Sequence, residues 1–215
     1  MGTYPAHLRH RLGFGVQSPW AFYLVRFVLQ EKLPFYAFNK LRELRKNFPH
    51  HSACFSRGHD ELIFRLTYWL KAKQIFVVGI DCPTLSALYI RSCTKNAKIV
   101  CICENITLTE HKALEEKSID VYCGDVLENL EKRCPANGFE FVLIAHNKDA
   151  WPIYSFTADH TNDESMIVVE HLEKKQGKQL WSKIQKDGRA RASFHLGRTG
   201  LLFFNTKRAR MYYNL

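Results

Sequence analysis

The sequence predicts an α/β protein: a doubly wound, mostly parallel sheet with a C-terminal antiparallel hairpin and a helical N-terminal extension. Three observations carry this. From residue 74 onward, short apolar runs alternate with helical stretches, as in Ile75-Phe76-Val77-Val78, Ile99 to Cys103 and Met166 to Val169. Strands that are apolar at every position are covered on both faces, and strands separated by helices pair in parallel. Near the end, Arg189 to His195 and Leu201 to Phe204 are joined by the turn Leu196 to Gly200 with no helix between them, so those two strands are antiparallel. The first 73 residues carry helical spacing instead.

The elements follow in order. Ser18-Pro19 is a cap residue followed by proline at the first helical position, and Trp20 to Leu29 is apolar on nearly every side. A helix of that kind is expected to be buried on several sides, across the main domain or against a second copy of the chain. Pro34 ends it. A second helix is expected over 36–48, with Phe38, Leu41, Leu44 and Phe48 at helical spacing. After the polar break 49–58, a third over about 60–71 places Leu62, Ile63, Leu66, Trp69 and Leu70 on one face. Strands are then expected at 75–79, 98–103, 119–122, 139–144 and 166–169, with helices at 84–92, 107–117, 125–132, 149–157 and 173–186. The resulting division is a helical extension, 1–58, and one compact α/β unit, 59–215.

Composition bounds the function. With 215 residues, 46% hydrophobic and 24% charged, the chain can bury a full core. No run reaches the ~18 apolar residues of a membrane span, and no apolar segment follows the basic N-terminus as a secretory leader requires. The seven cysteines are scattered, with no paired zinc spacing, so reduced thiols and a cytoplasmic setting are expected. The net charge of +10 is uneven: residues 1–73 hold 12 Lys+Arg and 4 Asp+Glu, and the remainder 19 and 17. That basic third is open to two readings, a solvated face or an attraction for nucleic acid and other acidic partners.

The first strand runs into Gly79-Ile80-Asp81-Cys82-Pro83-Thr84, and the second ends in Glu104. A glycine-bearing first turn plus an acid closing the second strand is how a doubly wound domain holds a nucleotide-like ligand.

With the C-terminal hairpin, the chain resembles the class I S-adenosylmethionine-dependent methyltransferases, whose sheet has seven strands. More narrowly, it resembles small bacterial O-methyltransferase-like proteins with a helical N-terminal extension. The resembling segments are Arg11-Leu12-Gly13 through Gln17-Ser18-Pro19-Trp20-Ala21-Phe22, Asp60-Glu61-Leu62-Ile63-Phe64-Arg65-Leu66, and Gly200-Leu201-Leu202-Phe203-Phe204. The resemblance implies S-adenosylmethionine as cofactor and a small-molecule methyl acceptor. It implies that the turn from Gly79, with Asp81, lies near the methionine part, that Glu104 accepts from the ribose hydroxyls, and that Gly124 and Asp125 flank the adenine. His146, after the fourth strand, and Glu170, after the fifth, are the candidate catalytic residues.

The departures from the family pattern are equally specific. The family turn reads acid-x-Gly-x-x-x-Gly, and here Val77 and Pro83 hold the acid and second glycine positions. Proline has no N–H to offer and a ring where glycine permits close approach. Ala145 stands where metal-using members have an acid, and Glu170 with Asn147 is too thin a ligand set, so no catalytic metal is expected. Several residues keep a second reading: Glu104 as a solvated strand end, Asp125 as a helix cap, and Lys207 to Arg210 as either phosphate contact or solvated terminus. Tyr4, Trp20, Phe35, Tyr36 and Phe38 are either a stacking platform or packing, including a homodimer contact. Three functions follow: an active methyltransferase, a catalytically inactive binding or scaffold protein on the same fold, or a nucleic-acid-binding or RNA-modifying protein.

Overall fold

The computed structural model describes residues 16–33, 35–46, 48, 57–145 and 150–215. Helix α1, Pro19–Tyr23, starts where Ser18 Oγ accepts from the Ala21 N–H at 3.4 Å, and it continues as a π-helical segment over Leu24–Leu29. Ala21, Leu24, Val25 and Val28 are buried, whereas Phe22, Tyr23 and Phe27 are exposed. The expectation of burial on several sides is therefore corrected. The helix lies across the main domain by one face and leaves an aromatic face outward. Helix α2, Ala37–Arg45, is shorter than the sequence spacing suggested, and α3, Arg57–Leu70, begins earlier.

The sheet is built from β1, Gln74–Asp81; β2, Lys98–Asn105; β3, Asp120–Cys123; β4, Phe139–Ala145; β5, Thr161–Val169; β6, Ala192–His195; β7, Gly200–Phe203; and β8, Met211–Asn214. Helices α4, Thr84–Cys93; α5, Leu108–Glu115; α6, Val126–Lys132; α7, Trp151–Asp159; and α8, Lys175–Asp187 connect them. Strand order is β3-β2-β1-β4-β5-β7-β6-β8, with β1 to β5 parallel and β7 antiparallel to both neighbours. Along β1 the period of two sends Ile75 and Val77 to one face, with Leu24, Leu66 and Leu88, and Phe76 and Val78 to the other, with Leu130 and Tyr154. The sheet is thus covered on both sides, as the sequence predicts.

Three differences have physical causes. The sheet has an eighth strand beyond the seven expected. Met211 and Tyr213 alternate inward, Tyr213 stacks on Phe194 at 4.9 Å, and β8 pairs in parallel with β6. That segment is too short for its alternation to be legible. In the preceding tail, Arg208 lies 3.9 Å above the Trp20 ring and Arg210 donates to the Gly188 carbonyl at 2.7 Å, so these two cations are engaged by the protein itself. Finally, β5 begins at Thr161, five residues before the apolar run, because a register shift after Phe139 carries the polar segment Asn162 to Glu164 along the sheet.

Trp20 anchors the extension. It meets Phe203 edge-on at 4.8 Å, Phe194 at 6.0 Å and Trp69 at 6.3 Å. Arg65 Nε on α3 donates to the Val28 carbonyl at 3.0 Å, satisfying a carbonyl at the end of the π-helical segment.

Candidate functional site

In a doubly wound sheet, ligands sit at the carboxyl ends of the strands, where the strand order reverses. Here that point lies between β1 and β4. Gly79 pairs with Cys103 on β2 and Ala145 on β4. Strand β1 does not stop there. It runs on to Asp81, which pairs with Asn105, and the two are joined by Asn105 Nδ2 donating to Asp81 Oδ1 at 3.3 Å and by Cys82 N–H donating to the Asn105 carbonyl at 3.0 Å. The turn is therefore Cys82-Pro83, two residues later than the sequence suggested.

That turn folds back over the strand. A Cβ on Gly79 would meet the Asp81 carbonyl oxygen at 2.7 Å and the Pro83 ring at 3.4 Å. Glycine is required here by the chain's own close approach. Helix α5 fastens the turn. Thr107 and Glu110 form a reciprocal capping box, and the other oxygen of the buried Glu110 accepts from Thr84 Oγ1 at 3.2 Å. The capping box is legible as Thr107-x-x-Glu110. The reach to Thr84 is not.

Beside the turn, Glu104 is exposed at the end of β2. Gly124 follows β3 with φ +119, a conformation that favours glycine, and its N–H donates to the Cys103 carbonyl at 3.0 Å. Asp125 caps α6, accepting from the Glu128 N–H at 2.7 Å, so the cap reading of this residue is realised. Gly79, Asp81, Glu104, Gly124 and Asp125 thus lie along one edge formed by the ends of β1, β2 and β3.

Glu170 lies apart from them, at the end of β5, almost wholly buried. Its Oε2 accepts from Thr199 Oγ1 at 3.0 Å and has His59 Nδ1 at 3.4 Å. Its Oε1 is buried with no hydrogen-bond partner among the described residues. Burial pushes the Glu170 carboxyl well above the usual range; the Thr199 hydroxyl and Arg198 oppose this, and the nearby Asp60 and Glu173 carboxylates add to it. Burial, reinforced by positive charge at His171, Arg198 and Arg45, holds His59 down to about 3, so its imidazole is neutral at physiological pH. Asp60, bound by Ser86 Oγ at 2.8 Å and paired with Arg45, is raised by burial to about 6.

The backbone here is constrained. His171 has φ +62, a left-handed conformation that costs a non-glycine residue roughly 1–3 kcal/mol. A Cβ on Gly177, in the first turn of α8, would collide with the His171 carbonyl, so the helix start packs directly on this loop. Neither His59 nor Thr199 was identifiable from the sequence. Each lies far from Glu170 in the chain, and no local spacing signals the contact. His146 and Asn147 fall outside the described residues. Among those described, no three His, Cys, Asp or Glu side chains are placed to hold a metal ion, and no helix is long and apolar enough to cross a membrane.

No family model matches the sequence, and no curated protein matches it by sequence. Solved structures do match in fold. A methyltransferase of Podospora anserina, solved bound to SAH, superposes with a TM-score of 0.64 at 14% identity, covering 95% of this chain and 98% of its own. The O-methyltransferase TomG from Streptomyces achromogenes, involved in tomaymycin synthesis and solved with SAM, gives 0.61 at 14% identity over 86% and 94%. An O-methyltransferase from Bacillus cereus, in complex with SAH, gives 0.59 at 10% over 84% and 95%. The chain therefore has the class I methyltransferase fold.

Proposed function

We propose that this chain binds S-adenosylmethionine at the carboxyl edge of β1 to β3 and transfers its methyl group to a small-molecule acceptor. The observation that carries the reading is the juxtaposition of an exposed Glu104 with Gly124, beside the strand-order reversal of a fold shared with SAM- and SAH-bound enzymes. Glu104 is an ionisable acceptor suited to two ribose hydroxyls, and Gly124 offers backbone without a side chain beside it. The nucleoside half of the cofactor fits these residues. The methionine half does not fit the turn as it stands, because the space over Gly79 is filled by the Asp81 carbonyl and the Pro83 ring. Binding of the whole cofactor requires the segment Asp81 to Thr84 to move aside. When bound, the sulfonium supplies an activated methyl carbon, and the protein's task is to align the acceptor and accept its proton.

Calorimetry with S-adenosylmethionine and S-adenosylhomocysteine tests this. Glu104→Ala should weaken binding about ten- to hundredfold, the worth of hydrogen bonds to a charged group. Pro83→Gly should tighten it. No heat and no thermal shift at saturating cofactor would remove the reading.

A second reading is favoured by one observation. The β1–β2 pairing persists through Asp81–Asn105, and Glu110 fastens the turn. A ligand site closed in this way suits a binding or scaffold protein that performs no transfer. Release of S-adenosylhomocysteine with any acceptor would exclude it. The outward face of Phe22, Tyr23 and Phe27 supports a homodimer contact through the N-terminal helices. Sedimentation of the wild type against Phe27→Glu tests that contact.

A further inference from the structure

We infer that Glu170 Oε1 is the seat of a ligand hydroxyl, the acceptor's own on the reading above, and takes its proton. His59 and Thr199 act as positioning residues for that carboxyl group. The argument starts from an imbalance within one side chain. Glu170 Oε2 has two neighbours, the Thr199 hydroxyl at 3.0 Å and His59 Nδ1 at 3.4 Å. Oε1 is equally buried, and among the described residues no hydrogen bond reaches it. A buried carboxyl oxygen without a partner is uncommon and points to a group that completes it.

The missing group is constrained by the neighbours. The charged groups around Glu170 are Asp60 on α3, Arg45 on α2 paired with Asp60, His171, Glu173 and Lys174 after β5, and Arg198 in the β6–β7 turn. Arg198 is directed to Glu173 at 3.5 Å, Arg45 is taken by Asp60, and Lys174 makes no hydrogen bond to Oε1, so none of these cations supplies the missing partner. A second carboxylate is disfavoured beside Asp60 and Glu173. A neutral hydroxyl meets the requirement in either protonation state, because it accepts from the acid and donates to the carboxylate.

The proton balance is simple. The hydroxyl O–H bond breaks and its proton passes to Glu170 Oε1. On the reading above, the electron pair left on oxygen forms the bond to the methyl carbon as that carbon's bond to the sulfonium breaks, the pair of that bond staying on sulfur as a neutral thioether. Thr199 and His59 hold Oε2, which leaves Oε1 as the position where the proton enters and leaves. The side chain itself is fixed from both ends. Glu170 N–H donates to the Ile144 carbonyl at 3.0 Å, and the next residue is the left-handed His171 locked beneath α8. His59 comes from α3, so the helical part of the chain contributes to a site at the sheet edge.

The test uses the intact chain with carboxyl-13C glutamate, the Glu170 resonance being assigned by its loss in E170Q. Titration should give Glu170 a midpoint clearly above those of the exposed glutamates. Thr199→Val should raise it again, and His59→Phe likewise, with His59→Gln restoring it through its retained N–H. Phenol, as a bare hydroxyl probe, should shift the Glu170 resonance saturably. Anisole, which lacks the hydroxyl, should not. A Glu170 that titrates with the surface carboxyls, or responds equally to phenol and anisole or to neither, overturns the inference. Calorimetry with S-adenosylmethionine runs alongside. Loss of cofactor binding with the phenol response intact defeats only the methyltransferase reading, and the converse defeats only this one.

Discussion

Substituting His59 gives the most direct measure of how the buried polar cluster is charged. The folded protein holds this imidazole down to about 3, against an ordinary value of 6.5, chiefly by burial. The unfolded chain binds a proton below 6.5 and the folded chain does not, so stability is full above 6.5 and drains away as the pH falls towards 3. At roughly 1.4 kcal/mol per unit, the loss attributable to His59 between pH 7 and pH 5 is about 2 kcal/mol. Asp60 works the other way, because its carboxyl is raised to about 6 and the folded state gains a proton over the same interval. The comparison must therefore be a difference of differences: urea unfolding of wild type and His59→Gln, each at both pH values. Glutamine keeps an N–H towards Glu170 and cannot titrate. The wild type should lose about 2 kcal/mol more than the variant on acidification. If the two lose stability in parallel, His59 takes up its proton over the same pH range in the folded and unfolded chain, and the neutral imidazole described above is refuted; if the wild type loses less than the variant, a charged imidazolium–carboxylate pair replaces it.

Other outcomes follow from the same structure. Glu170→Gln should be relatively more stable than wild type at alkaline pH, since a raised carboxyl costs stability as the pH climbs through its folded value; melting curves across pH report this. Gly79→Ala should lower stability by about 1–3 kcal/mol, because the Asp81 carbonyl at 2.7 Å cannot yield without moving the turn; a melting temperature equal to wild type would contradict that contact. Glu110→Ala removes the capping box and the Thr84 contact together and should cost about 1–2 kcal/mol in chemical denaturation. Trp20→Ala should cost about 3 kcal/mol and release the first helix, seen as faster amide exchange there.

The sheet was legible because its strands are continuous apolar runs. Ile75 to Val78 and Met166 to Val169 fit only a sheet covered on both faces, and the hairpin's short turn fixed the reversal. Strand β8 was hidden because four residues carry too little alternation, and the start of β5 because Asn162 to Glu164 look like a loop. At the site, Glu104, Gly124 and Asp125 were visible since each ends or begins an element. The fastening of the turn was not, since Thr84 and Glu110 meet only after two helices have packed. The pairing of His59 with Glu170 was equally invisible, because it depends on where α3 lands across the sheet.

The contacts of Trp20 bear on the order in which the molecule assembles. Besides Trp69, its partners Phe194, Phe203 and Arg208 all follow it by most of the chain. During synthesis the first helix can meet only α3, through Trp69 and Arg65, until β6, β7 and the segment after them have emerged. Contacts so distant in sequence are slow to close. Until then the side of Trp20 that meets β6 and β7 stays uncovered along with Phe22, Tyr23 and Phe27, so the nascent chain displays an apolar helix face. The finished fold hides one half of that surface, and the waiting period leaves more of it exposed.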